Sequence, residues 1–189
     1  MNLQMNHEGC GIGKYTCWFS DFADYSGKIE YHFFRRSKIT LLLGLEPKLT
    51  FRQTSLLEFI MSLPLKVLLS FPFYIPPYPV FSKTEEIGKA KVNFDWQGYT
   101  FTIEGNTYIL RQHSDNIGSL TKNDHQIARY KFLDAGQVKI DYASQEDLMF
   151  VLLFSLLFFA SFHANKKWKH TSIIFDDNYA ELARWGDDR

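Results

Sequence analysis

The hydrophobic pattern changes period along the chain, and it is mostly the pattern of strands. Residues 14–19 are aromatic and β-prone. In 28–34, Ile29, Tyr31 and Phe33 fall on one side and Glu30, His32 and Phe34 on the other, the alternation of a half-buried strand. Residues 24–27 carry turn chemistry between the two. A third short strand is expected at 38–43, closed by Gly44 and Pro47, and a fourth at 48–52. From Lys89 onward the alternation becomes regular, over 90–96, 99–104, 107–113, 117–122, 126–133 and 137–142. The turn marks between them are Gln97-Gly98, Gly105-Asn106, Asp115-Asn116, Asn123-Asp124 and Ala135-Gly136. Short strands with turns every 8–12 residues or so imply an antiparallel meander.

Two apolar stretches break this rhythm. In the first, Thr54 or Ser55 reads as a helix N-cap, with Glu58 completing a capping box after Ser55. The apolar run 56–73 that follows contains Pro64, which should kink or divide a helix. Pro76, Pro77 and Pro79 then favour an extended run over 73–81. A Pro-rich helical insertion is therefore expected at 54–82. Phe73, Tyr74, Tyr78 and Phe81 could form a docking strip for a protein partner; the competing reading is a stiff strap over one end of the core.

The second stretch, 148–162, is interrupted only by Ser155, Ala160 and Ser161. Ser144 is placed to cap this helix, and Asp147 to favour its N-terminus from the third helical position. A helix apolar on every side belongs inside a protein or inside a bilayer. At 1.5 Å rise per residue this one reaches about 22 Å, short of a hydrocarbon core of about 30 Å. A barrel of more than about eight strands needs its lumen filled. The expected fold is mainly β (α+β): a closed antiparallel β-barrel wrapped around a central hydrophobic C-terminal helix. The alternative is a membrane-anchored protein that uses 148–162 as a span, with or without 56–73.

The order of segments over 99–164 resembles the tubby-like superfamily, which includes LURP-one-related proteins and phospholipid scramblases. The matching pieces are Tyr-Thr-Phe-Thr-Ile from Tyr99, Tyr-Ile-Leu-Arg-Gln-His from Tyr108, Ile-Gly-Ser-Leu from Ile117, Ile-Ala-Arg-Tyr-Lys from Ile127 and Val-Lys-Ile-Asp-Tyr from Val138. Gln-Glu-Asp-Leu and the apolar helix follow. The resemblance implies a twelve-stranded barrel around a C-terminal helix, with phosphoinositide headgroup binding or membrane association in some members. No basic motif of the family maps residue by residue onto this chain. The acidic calcium segment proposed for scramblases has no counterpart either, since Asp176 and Asp177 alone are too few oxygens for that ion.

Composition narrows function further. Across 189 residues, 21 Lys and Arg balance 21 Asp and Glu, which gives no general pull toward nucleic acid. Residues 1–13 are polar, lack the apolar core of a secretory signal, and are expected to be a flexible N-terminus. A single domain over 14–165 and a polar tail over 166–189 complete the organisation. The expected address is the cytoplasm, with membrane association as the alternative. Cys10 and Cys17 read as two reduced thiols or a short-loop disulfide, and no zinc framework exists.

No catalytic constellation stands out. His113 with Asp115, and Asp124 with His125, sit in turn contexts where hairpin closure is the plainer reading. The glycines of 9–13 follow no apolar strand, so they do not make a nucleotide loop. Neither cofactor nor metal is expected, and the protein is expected not to be an enzyme. Two basic clusters remain. Arg35 and Arg36 form one with Lys38; Lys166, Lys167, Trp168 and Lys169 form the other, directly after the apolar helix. Both are candidates for lipid-headgroup or phosphate contact, Trp168 by interfacial placement. Cations near a helix C-terminus are also favourable on their own account. The expected function is a binding module for a membrane headgroup or a protein partner, with a small inhibitor or immunity-type interaction protein as a further alternative.

Overall fold

A computed structural model of the protein describes residues 2–9, 14–30, 38–52, 78–92, 98–114, 116–133 and 137–165. They form twelve strands and one helix. The strands are β1 (Asn2–Gly9), β2 (Lys14–Phe19), β3 (Tyr25–Glu30), β4 (Lys38–Leu43), β5 (Glu46–Arg52), β6 (Tyr78–Ser82), β7 (Glu85–Val92), β8 (Gly98–Ile103), β9 (Asn106–Ser114), β10 (Ile117–Lys122), β11 (His125–Phe132) and β12 (Val138–Tyr142). Each pairs antiparallel with its neighbour in sequence, and β1 joins β12 to β2, which closes the barrel. The helix, α1 (Leu148–Asn165), packs against the inner faces of the strands.

Alternation explains the wall. Cys17, Ile29, Leu41, Leu110, Leu120 and Tyr130 point inward and are fully buried. Lys14, Lys28, Lys89, Thr102 and Lys131 sit at exposed positions of the wall strands. That is the reverse of a membrane-spanning barrel, whose outward band is apolar. Twelve strands enclose more space than their own side chains fill, and α1 occupies it. Val151, Leu152, Phe154, Leu156, Phe158 and Phe159 have no exposed surface at all. Each such side chain contributes roughly 1.5–3 kcal/mol of gross burial energy. Phe158 stacks on Tyr130 and Phe132 at 5.4 and 5.0 Å, and Phe154 meets Phe101 edge-on at 4.5 Å. Two glycines let the helix approach: a Cβ at Gly27 would collide with the end of Leu156, and one at Gly118 would lie 2.5 Å from the Phe158 ring.

The expected barrel around an apolar helix is thus what the chain forms, with 151–160 buried inside it rather than free to enter a bilayer. No helix among the described residues is long and apolar enough to cross a membrane. Several local expectations shift. The polar N-terminus, read as flexible, provides β1. Its residues are mostly polar because one face of a barrel strand meets solvent, and Met5 on the other face is fully buried. Strand β3 starts at Tyr25, three residues earlier than the alternation suggested, and β7 starts at Glu85. The last five residues of the expected insertion, Tyr78–Ser82, are β6. Pro79 is tolerated there although it has no N–H to donate. The remainder of that segment, 54–77, lies outside the described residues.

The helix start is also different. Leu148 is the first helical residue, and the Asp147 carbonyl accepts from the Val151 N–H at 2.9 Å, which makes Asp147 the N-cap residue. Ser144 stands three residues upstream, where its hydroxyl accepts from the Glu146 N–H at 3.2 Å. The Asp147 carboxylate takes the Lys122 ammonium at 2.7 Å and so ties the helix to the end of β10.

Candidate functional site

Register turns scattered lysines into one surface. On the outside of the wall, Lys14 pairs across to Glu30, Glu30 to Lys38, and Lys38 to Arg52. These four residues form a row across β2 to β5 at one end of the barrel. Lys28 lies in the next row, opposite Thr16 and Thr40. Lys14 and Lys28 are exposed, whereas Lys38 and Arg52 are half-buried. The Arg52 guanidinium lies 5.0 Å over the Phe81 ring, a cation–π contact that holds its charge against the wall. Trp18, on the same face of β2 as Lys14, is 43% exposed. Four cations stand around Glu30, with Glu8 at the β1 end of the Lys28 row opposite Thr16, so the two rows are net positive. The outward positions between them, Thr40, Thr50 and Leu42, are buried.

The sequence candidates fall unevenly on this picture. Phe81 is half-buried beneath Arg52, and the backbone of Tyr78 pairs with Ala90. Phe73, Tyr74, Arg35, Arg36, Lys166, Lys167, Trp168 and Lys169 lie outside the described residues, as does Cys10. Cys17 is buried in the core. Lys166 follows the last residue of α1 directly. Lys14, Lys28 and Arg52 were not singled out by sequence. The signal was present, since all three take the polar positions of alternating strands, but only strand order shows that these strands are neighbours.

Two polar groupings lie elsewhere. His113 occupies a bulge, where β10 pairs Ile117 with Ser114 and then Gly118 with Gln112. Its Nε2 is 2.6 Å from the Ser119 hydroxyl, and both residues are buried. The other grouping is at the opposite end, where Lys122 bonds Asp147 and lies 5.8 Å over the Tyr108 ring. The hydrogen bond to Asp147 raises the Lys122 pKa, and burial raises that of Tyr108. His125 is exposed at the start of β11. Among the described residues no group of three or more His, Cys, Asp or Glu could hold a metal ion.

Fold and surface together define a closed twelve-stranded antiparallel barrel with a buried helix and a basic outer wall. No family model matches the chain, and neither a curated protein nor a solved structure matches it.

Proposed function

We propose that this chain is a tubby-like binding module that acts without catalysis, by docking its basic wall on anionic phospholipid headgroups at a membrane surface. The in-register row Lys14, Lys38 and Arg52, with Lys28 beside it, carries the reading. The closed barrel around a C-terminal helix supports it, because the resemblance over 99–164 implies that arrangement. The apolar helix is occupied in the core, so membrane association would run through surface charge. Near an anionic surface each Lys or Arg contributes about 1 kcal/mol. Trp18 adds an amphipathic ring suited to the interfacial layer.

Vesicle flotation tests this. The wild-type chain should float with vesicles that contain phosphatidylserine, float less as salt rises, and stay down with neutral vesicles. Lys14→Glu/Lys28→Glu/Lys38→Glu should abolish flotation. Lys166→Glu/Lys167→Glu/Lys169→Glu reports whether the segment after α1 takes part. A wild-type chain that ignores anionic vesicles at low salt removes the reading. In that case a pull-down with the charge-reversed wall as control tests for a protein partner instead.

A further inference from the structure

On the far side of the barrel, a second row crosses β8 to β12. Gly98 pairs with Arg111, Arg111 with Ser119, Ser119 with Arg129, and Arg129 with Asp141. Their inward-facing neighbours Leu110, Leu120, Ala128 and Ile140 are fully buried, so this row faces outward. Ser119 therefore has an arginine on each side. With strands about 4.8 Å apart, the two arginine Cα atoms are about 9.6 Å apart across it. The floor between them is polar and closed: Ser119 is 5% exposed, His113 is 7% exposed, and the two are bonded at 2.6 Å. The bulge at Gly118 places His113 there as an extra residue. Gly98 leaves the β8 position beside Arg111 without a side chain, and β8 and β9 approach so closely that a Cβ would strike the Leu110 carbonyl. In the adjoining positions Lys131 and Lys139 add positive charge, whereas Asp141 adds one carboxylate, 3.7 Å from Lys139.

We infer that Arg111, Ser119 and Arg129 form a binding site for a single tetrahedral phosphoryl anion, separate from the basic wall of β2 to β5. Two arginine positions that flank one serine in register suit a phosphate, whose oxygens accept paired N–H bonds from arginine better than from lysine. His113 is a positioning residue for Ser119, whose hydroxyl its Nε2 meets at 2.6 Å. The anion is inorganic phosphate or a phosphomonoester, and the chemistry of recognition is common to both.

Calorimetric titration of the full-length protein with inorganic phosphate, and separately with glycerol phosphate, tests the site. Saturable binding of at least one is expected, and the tighter ligand identifies the source. Arg111→Gln and Arg129→Gln should each weaken it about tenfold or more, and Arg111→Lys should recover only part of the loss. Lys14→Glu/Lys28→Glu/Lys38→Glu should bind the anion as the wild type does, even though it no longer floats with vesicles. Should an arginine variant fail to fold, the Nε–Hε NMR signals of Arg111 and Arg129 in the wild type must still move with added anion. Absence of saturable binding, unmoved arginine signals, Arg111→Gln and Arg129→Gln binding like wild type, or loss of binding in the wall variant each overturns the inference.

Discussion

The contact of Gly27 with Leu156 allows a test of whether the helix is a fitted core or merely a greasy filling. The three heavy atoms nearest to a Cβ built at Gly27 all belong to the Leu156 side chain, one of them at 2.6 Å. Leu156 is fully buried, so it has little space to retreat. Gly27→Ala alone should therefore cost about 1–3 kcal/mol by overpacking. Leu156→Ala alone should cost about 2–5 kcal/mol, through lost burial and the cavity it leaves. In the double variant the new methyl enters the vacated space, so the two costs should not add. The shortfall should be about 1–3 kcal/mol, well above the 0.3–0.5 kcal/mol or so that independent sites show. For a chain of this size 1 kcal/mol moves the melting temperature by about 2–4 °C, which calorimetry resolves. Urea unfolding of all four proteins supplies the free energies. Strict additivity, or a stabilising Gly27→Ala in the wild-type background, refutes close helix-to-wall packing at β3.

Three other outcomes are expected. Leu153→Asp places a charge where the wild-type side chain is almost wholly buried and should lower the melting temperature severely, by more than any surface substitution; an unchanged transition means that this face of α1 is not in a core. Asp147→Ala removes the carboxylate of the N-cap residue and the Lys122 partner together, and should cost about 1–2 kcal/mol by chemical denaturation, with Lys122→Met costing less because that lysine is partly exposed. Stability should also fall on the alkaline side. Burial raises the pKa of Tyr108, Tyr130 and Tyr142 above 10.0, and the bond to Asp147 raises that of Lys122 above 10.5. Each group holds its proton more tightly folded than unfolded. Its contribution is complete below the unfolded value and is lost as pH climbs through the folded one. Unfolding free energies that stay level from pH 9 to well above 10 contradict this, and Tyr130→Phe should flatten part of the slope.

Much of the barrel could be read from the chain, and the reasons for the misses are specific. β2, β4 and β10 fall where alternation placed them, because each has a buried face and tight boundaries. The turn at Asn123-Asp124 was legible from turn chemistry, and both residues adopt positive φ. β1 was not legible. Most of its residues are polar, which left too little hydrophobic period to detect, and it is held by pairing with β12 and β2. β6 was hidden by its proline, which a wall with one less donor can accept. Ser144 outranked Asp147 as a cap on residue preference, but the ion pair with Lys122 settles where the helix begins.

By itself, then, the sequence determined that a helix without a polar side must be enclosed, and that the strands ahead of it could enclose it. Its length and its burial requirement are local properties of 148–162, and local physics decides them. The surfaces were decided by tertiary structure alone. Lys14, Lys28, Lys38 and Arg52 are spread over 39 positions of sequence, and Arg111, Ser119 and Arg129 sit on three different strands. Each set becomes a surface only when register aligns neighbouring strands, because pairing fixes which outward side chains stand opposite one another. A balanced total charge conceals that arrangement, since composition counts charges and only the closed sheet places them.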